Sequence, residues 1–119
     1  MSVILDVGQP YSDASIELCR IFNAALIEVN YPINLNLVPH DDPQLCQTEA
    51  WIFGPDGFIG AAGEVRYANN TITISHYELD GLAGNLVLTS KDTITLSDLD
   101  SLAKIGNCLK KMYDKNLVR

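Results

Sequence analysis

The densest group of side chains able to do chemistry occupies one short stretch, residues 39–48, with the sequence PHDDPQLCQT. His40, Asp41, Asp42 and Cys46 would offer a metal ion imidazole, carboxylate and thiolate ligands. No second His or Cys recurs at a recognised metal-ligand spacing, and adjacent aspartates between two prolines are typical of a solvated loop. The stretch therefore predicts a surface loop, with no bound metal and no other cofactor.

A second pair of residues suited to acid–base chemistry is His76 and Glu78, two positions apart. On a strand, His76 would share a face with Ile72 and Ile74, which favours a histidine at the rim of the core. No Ser-His-Asp or Cys-His arrangement can be recognised from spacing, and the three cysteines lack CxxC spacing. We therefore predict no catalytic residues and no enzyme activity.

Four glycines recur at every third position from Gly54 to Gly63. A glycine-rich loop can cradle phosphate, but the nucleotide-binding patterns GxGxxG and GxxxxGKS are both absent, and no Lys or Arg lies among these glycines. The segment instead predicts a tight reversal over residues 54–57, flanked by apolar residues at 51–53 and 58–59.

The charge of the chain is distributed unevenly along its length. The 119 residues carry a formal net charge of −7, but residues 1–90 carry −9 and residues 91–119 carry +2. Phosphates repel an acidic protein, so this composition argues against direct nucleic-acid binding and against anionic membranes. With 47% hydrophobic residues, the chain can bury a core and is not a disordered acidic tail.

Many of the acidic residues fall in predicted loops, turns or strands that contain almost no Lys or Arg. Unneutralised carboxylates on a surface steer the approach of a cationic partner and help to select it. We therefore predict a surface that binds a basic protein. Its predicted contact residues are Asp41, Asp42, Glu49, Asp56, Glu64, Glu78 and Asp80.

The elements that must position these residues follow from the apolar pattern. Residues 2–7 form a short apolar run that predicts a strand. Ser12 suits a helix N-cap, and the apolar residues that follow it repeat every three to four positions, which predicts a mostly buried helix over residues 12–29. Residues 33–37 alternate with period two, as in a strand, and an antiparallel meander begins at Glu49.

A hairpin is predicted in more detail around Asn69 and Asn70, because asparagine tolerates the positive φ that a two-residue hairpin turn requires. Pairing outward from this turn sets Tyr67 opposite Ile72. A one-residue slip would mix the two faces, so their clean separation supports this register. One face then holds Val65, Tyr67, Ile72, Ile74 and His76, and the other holds Glu64, Arg66, Thr73 and Ser75.

The remainder of the chain predicts a loop over residues 77–85, a strand at 86–88, a short strand or lead-in at 93–96, and a final helix over 97–114. Together the elements predict a single α+β domain spanning residues 1–119. Its sheet is mostly antiparallel and twisted, with about five or six strands, and the two helices pack on it. The aromatic residues on or beside the strands are predicted to pack in the core: Trp51, Phe53, Phe58, Tyr67 and Tyr77.

The N-terminal sequence MSVILDVGQP lacks the cationic segment and long apolar core of a secretory signal. No uncharged apolar run approaches the roughly 18 residues that cross a bilayer. The odd number of cysteines gives no disulfide framework. We therefore expect a cytoplasmic protein with reduced thiols and no membrane association.

Three classes of function remain compatible with these features. The charge distribution favours a small acidic binding protein: a cognate inhibitor of the immunity-protein or antitoxin type, which neutralises a toxin such as a nuclease by masking its basic surface. The alternative is an acidic chaperone or accessory subunit of a larger assembly, which would hold another chain at a sheet edge or apolar groove. A small enzyme would depend on His40, Asp41, Cys46 or His76. The oligomeric state stays open.

Overall fold

Six strands form one mixed sheet, and two helices pack against it, in a computed structural model that describes residues 2–5, 11–40, 47–54, 62–79 and 84–113. The strands lie side by side in the order in which they occur along the chain. The predicted α+β architecture is confirmed. Its elements are β1 (Ser2–Leu5), α1 (Asp13–Glu28), β2 (Asn34–Pro39), β3 (Gln47–Phe53), β4 (Ala62–Ala68), β5 (Thr71–Leu79), β6 (Leu86–Thr95) and α2 (Ser101–Tyr113).

The sheet combines one parallel pair with four antiparallel ones. β1 runs parallel to β2, whereas each later strand is antiparallel to the one before it. Parallel neighbours need a long crossover, and α1 provides it between β1 and β2. The antiparallel strands follow one another as a meander, as the sequence predicts from Glu49 onward.

Helix α1 begins and ends close to its predicted bounds. Ser12 is the N-cap, and its Oγ accepts a hydrogen bond of 3.2 Å from the backbone N–H of Ser15. At the other end, the N–H of Val29 donates to the carbonyl of Ala25. The next residue, Asn30, takes a left-handed conformation with φ 52°, which ends the helix.

The β4–β5 hairpin has the predicted register. Tyr67 pairs with Ile72, and the pairing continues outward from the turn without a slip. Asn69 and Asn70 both have positive φ, at 53° and 61°, as a two-residue hairpin turn requires.

The predicted loop over residues 77–85 is partly wrong. Strand β5 continues to Leu79, and residues 86–95 form one strand of ten residues in place of the two short segments predicted. A register shift between His76 and Tyr77 lets the pairing continue past the irregularity: His76 pairs with Ser90 but Tyr77 with Leu88. A bulge of this kind leaves no simple alternation in the sequence to mark it.

The predicted start of the second helix is also wrong, by four residues. Between β6 and α2 the chain makes tight turns, in which the N–H of Asp98 donates to Thr95 and that of Ser101 to Asp98. The Ser101 hydroxyl donates to the carbonyl of Leu96 at 3.3 Å. Leu99 therefore lies fully exposed in the turn and outside the apolar stripe of α2.

Both helices cover the same face of the sheet and contact each other. An added Cβ at Gly106 of α2 would lie 2.5 Å from the carbonyl oxygen of Ala25 in α1, so only glycine allows this approach. The hydroxyl of Tyr113 donates to the carbonyl of Ile52 in β3 at 2.7 Å and ties α2 to the sheet. The largest completely buried side chains of the resulting core include Phe22, Leu26, Leu37, Ile52, Ile74, Leu109 and Tyr113.

Candidate docking face

The face of the sheet that points away from the helices is the candidate functional site. Side chains alternate between the two faces along each strand, so the neighbours of the buried residues lie here. In β3, for example, Ala50 and Ile52 are completely buried under the helices, while Glu49 and Trp51 lie on the other side. We call this surface the open face. It includes Glu49, Trp51, Phe53, Glu64, Arg66, Thr73, Ser75, Tyr77 and Lys91.

Aromatic rings gather around Trp51 near the centre of the open face. The ring centroid of Trp51 lies 6.3 Å from that of Phe53, nearly parallel to it, and 6.1 Å from that of Tyr77. Phe53 lies two residues further along β3, whereas Tyr77 belongs to β5, on the far side of β4. Trp51 and Tyr77 are half-buried, and Phe53 is buried, so the cluster is an apolar platform with two partly exposed rings.

His40 extends the aromatic platform at the end of β2. Its ring centroid lies 6.1 Å from that of Trp51, and its backbone N–H donates to the carbonyl of Glu49 at 2.8 Å. The side chains of the same two residues face each other, with 3.6 Å between Nδ1 and Oε2. The buried Nε2 atom has no hydrogen-bond partner among the described residues. His40 therefore links the aromatic cluster to a carboxylate.

Beside the platform lies a depression of about 240 Å³ with charged walls. Its charged lining residues are Glu49, Glu64, Arg66 and Lys91, and the hydroxyls of Thr73 and Ser75 also line it. Among the described residues, no ion pair neutralises Glu64, Arg66 or Lys91. The depression thus combines two carboxylates with two cations. Glu49 faces His40, whereas the other three charges are free of ion pairs within the described part of the chain.

The structure brings together two of the predicted contact residues. Trp51 pairs with Glu64, and Glu49 pairs with Arg66, so the two carboxylates lie diagonally across β3 and β4 on the open face. Glu78 lies elsewhere, because it shares the helix-side alternation of His76, with 3.8 Å between His76 Nε2 and Glu78 Oε1. Asp41, Asp42, Asp56 and Asp80 lie outside the described residues, as do Cys46, Phe58 and the reversal predicted beyond Gly54.

Trp51 and Tyr77 are not core residues, contrary to the prediction made for the strand aromatics. Tyr67 does pack against the core. The period-two alternation of β3 could have placed Trp51 outside the core, since Trp51 has the same parity as Glu49. Lys91 also belongs to this surface, although the sequence groups it with the cationic C-terminal segment. Its place follows from pairing with Ser75, which depends on the β6 register.

The remaining candidate chemistry lies apart from the open face. His76 is buried on the helix side of the sheet. Burial raises the pKa of the Cys19 thiol, and burial together with the neighbouring Asp92 carboxylate raises the pKa of Cys108 to about 12. Both thiols are therefore protonated at neutral pH, which makes them poor nucleophiles. No three His, Cys, Asp or Glu side chains in the described parts of the chain are grouped to hold a metal ion.

Comparison with known proteins gives no relative to guide the interpretation. No family model, curated protein or solved structure matches the chain. Neither described helix is long and apolar enough to cross a membrane.

Proposed function

We propose that this chain is a protein-binding protein whose open face docks onto a basic surface of its partner. The observation that carries the proposal is the partly exposed Trp51, which lies on the sheet opposite Glu64 and next to Glu49 on the same face of β3. Tryptophan, tyrosine and arginine are the residue types most enriched among the energetic centres of protein interfaces, and the open face presents all three. Its strands are held by the core, so little order has to be gained on binding.

The charge of the chain indicates the class of partner. A net charge of −9 over residues 1–90 favours association with a cationic surface, and Glu49 and Glu64 place part of that charge beside the aromatic platform. Enzymes that act on nucleic acids present Lys and Arg to phosphates. We therefore propose a cognate inhibitor of the immunity-protein or antitoxin type, which neutralises a toxin such as a nuclease by covering this basic surface.

Arg66 and Lys91 restrict the charge pattern that a partner's surface must present. Both line the same depression as the two carboxylates, so a uniformly basic patch would be repelled on this side of Trp51. A fitting partner presents cationic side chains to Glu49 and Glu64 and a carboxylate to Arg66 or Lys91. Such a mixed pattern selects one partner more sharply than net charge does.

The test is stopped-flow association with the protein that immobilised wild-type chain recovers from its native cells. Trp51→Ala should raise the dissociation rate by about 30-fold, as expected for a residue at the centre of an interface. The double variant Glu49→Lys, Glu64→Lys should slow association by about tenfold at low salt, and added salt should reduce this difference.

The matched control is Asp13→Lys combined with Glu28→Lys, which changes the net charge equally on exposed residues of α1. If the control slows association as much as the open-face variant, the charge of the whole chain drives binding and the docking face is refuted. The inhibitor role is tested separately, by titrating the partner's own catalytic activity with the chain. Binding without loss of that activity would refute inhibition while leaving the docking face in place.

A further inference from the structure

The two edges of the sheet differ in whether side chains cover the backbone groups of the edge strand. At the β1 edge, the side chain of Asn23 hydrogen-bonds to both backbone groups of Val3. Its Oδ1 accepts from the Val3 N–H at 2.7 Å, and its Nδ2 donates to the Val3 carbonyl at 3.0 Å. The Cys19 thiol donates to the same carbonyl. Side chains of α1 thus block this edge against further pairing.

The β6 edge has no comparable block among the described residues. Among the six described strands, β6 pairs with β5 alone, and it is ten residues long, against four for β1. Eight of its ten side chains are exposed, all except Ser90 and Ile94. A free edge of this length offers a row of backbone N–H and C=O groups to an added strand.

A groove runs along this edge on the helix side, between β6 and α2. It measures about 480 Å³, and its lining includes Asp92 and Ile94 from the strand and Lys104, Cys108 and Lys111 from the helix. We call it the β6–α2 groove. A strand added beside β6 would send alternate side chains into it.

Among the described residues, the charges in the β6–α2 groove leave one cation, Lys111, without an ion pair. Lys104 is engaged by Asp98 at 3.6 Å and by Asp100 at 3.4 Å. The Asp92 carboxylate accepts a hydrogen bond from the Cys108 thiol at 3.4 Å. Lys111 has no ion pair within the described part of the chain. The groove is therefore matched to a carboxylate at its α2 side.

The opposite end of β6 is apolar. Leu86, Val87 and Leu88 are 42%, 48% and 50% exposed, which is unusual for three consecutive large apolar residues of a strand. Val87 and Asp92 are five positions apart, a distance of about 16 Å along a strand. An occupant that spans the edge meets apolar side chains at one end and Lys111 at the other.

We propose that the β6 edge and the β6–α2 groove bind an extended, acidic segment of another protein as an added antiparallel strand. The segment carries a carboxylate that meets Lys111, followed some four to six residues later by apolar side chains that cover Leu86, Val87 and Leu88. The β6 edge borders the open face, since Leu88 pairs with Tyr77, but the proposal does not depend on the function proposed for that face.

A second copy of the chain fits the edge poorly. Antiparallel pairing of β6 with itself over its full length sets Leu86 and Leu88 against Thr95 and Thr93, with Val87 against Ile94. The Lys111 side chains would meet apolar ends and no carboxylate. The β6 bulge and the charged Lys91 further disfavour indiscriminate pairing.

The probe is a fluorescein-labelled peptide, capped at both ends, with the sequence Thr-Glu-Thr-Ser-Thr-Val-Leu-Val-Thr. It is titrated with the full chain by fluorescence anisotropy. Lys111→Glu should weaken binding by about fivefold, and replacing the peptide Glu with Lys should restore it in that variant. Lys110→Glu is the matched control, since Lys110 is the exposed neighbour that does not line the groove, and it should bind as the wild type does.

A second peptide carries N-methyl groups on alternate residues, on the edge that faces β6, and cannot pair as a strand. It should lose binding at least tenfold, without any change to the protein. The proposal is overturned if the unmodified peptide does not bind at about 1 mM. It is also overturned if the methylated peptide binds equally, if Lys110→Glu matches the effect of Lys111→Glu, or if sedimentation shows the edge filled by a second copy.

Discussion

The two faces of the sheet are built from the same strands but have opposite character. Ile52 and Trp51 are consecutive residues of β3; Ile52 is completely buried under the helices, and Trp51 is half-buried on the open face. On the helix side, aliphatic side chains from sheet and helices fill one core. On the open face, the aromatic platform lies beside four charged residues. One face therefore holds the core of the fold, and the other keeps aromatic and charged side chains partly exposed.

Under the proposed function, this division lets stability and binding change independently. A substitution on the helix side leaves a cavity or an unpaired polar group inside a close-packed core. A substitution on the open face changes a surface that water already reaches. The free energies of unfolding of matched variants on the two faces should therefore differ.

The strongest test compares Ile52→Ala with Trp51→Ala. Ile52→Ala should lower the free energy of unfolding by about 3 kcal/mol, because it removes buried methyl groups and leaves a cavity beneath α2. Trp51→Ala should cost about 1 kcal/mol, although it removes a larger side chain, because part of the indole is already exposed. Urea unfolding followed by far-ultraviolet circular dichroism measures both values. Equal losses would mean that the open face is part of the core.

A smaller effect is expected where α2 is tied to the sheet. Tyr113→Phe removes the hydroxyl that donates to the Ile52 carbonyl and leaves that buried carbonyl without its partner. The expected loss is about 1.5 kcal/mol. Tyr77→Phe is the control, since it makes the same chemical change on the open face and should cost less than about 0.5 kcal/mol. If Tyr77→Phe proves the more costly variant, the assignment of the two faces is wrong.

The sequence predicts this division where alternation is regular, and it fails where pairing is irregular. The register of the β4–β5 hairpin follows from Asn69, Asn70 and the alternation around them, because a slip would bury charges. The bulge opposite the His76–Tyr77 step cannot be recognised from local pattern, so β6 as one long strand is missed. The position of Lys91 in the same depression as Glu64 depends on that strand and is missed with it.

The candidate site is harder to predict than the fold for a related reason. Hydrophobicity assigns Trp51 to the core, while its parity with Glu49 assigns it to the opposite face. Only the position of the helices decides between them, and it depends on contacts such as those of Gly106 with Ala25, which are distant in sequence. Charge alone groups Glu78 with Glu49 and Glu64, although its parity on β5 places it on the helix side.

Alkaline pH should lower the free energy of unfolding through ionisation of the Cys108 thiol on the helix side. Burial and Asp92 raise the pKa of this thiol from 9.0 to about 12, so the folded chain keeps a proton that the unfolded chain releases. Stability is therefore complete below about pH 9 and falls as the pH rises toward 12. Because solvent partly screens this side chain, the loss between pH 9 and 11 should be on the order of 1 kcal/mol. Urea unfolding of Cys108→Ala should show a shallower decline, and an unchanged decline would contradict this assignment.

The smallest effect on stability is expected at Glu64, on the open face. Glu64→Gln removes a carboxylate that has no ion pair among the described residues. The free energy of unfolding, measured in urea, should therefore change by about 0.5 kcal/mol or less. Glu17→Gln is the matched control, because Glu17 pairs with Arg20 at 2.7 Å on the exposed side of α1, where such pairs also contribute little. A loss above about 1 kcal/mol at Glu64 alone would show that its carboxylate stabilises the fold. The Glu64 carboxylate would then be engaged within the fold and not free to meet a partner. The separation between a stabilising face and a recognition face would not hold at this residue.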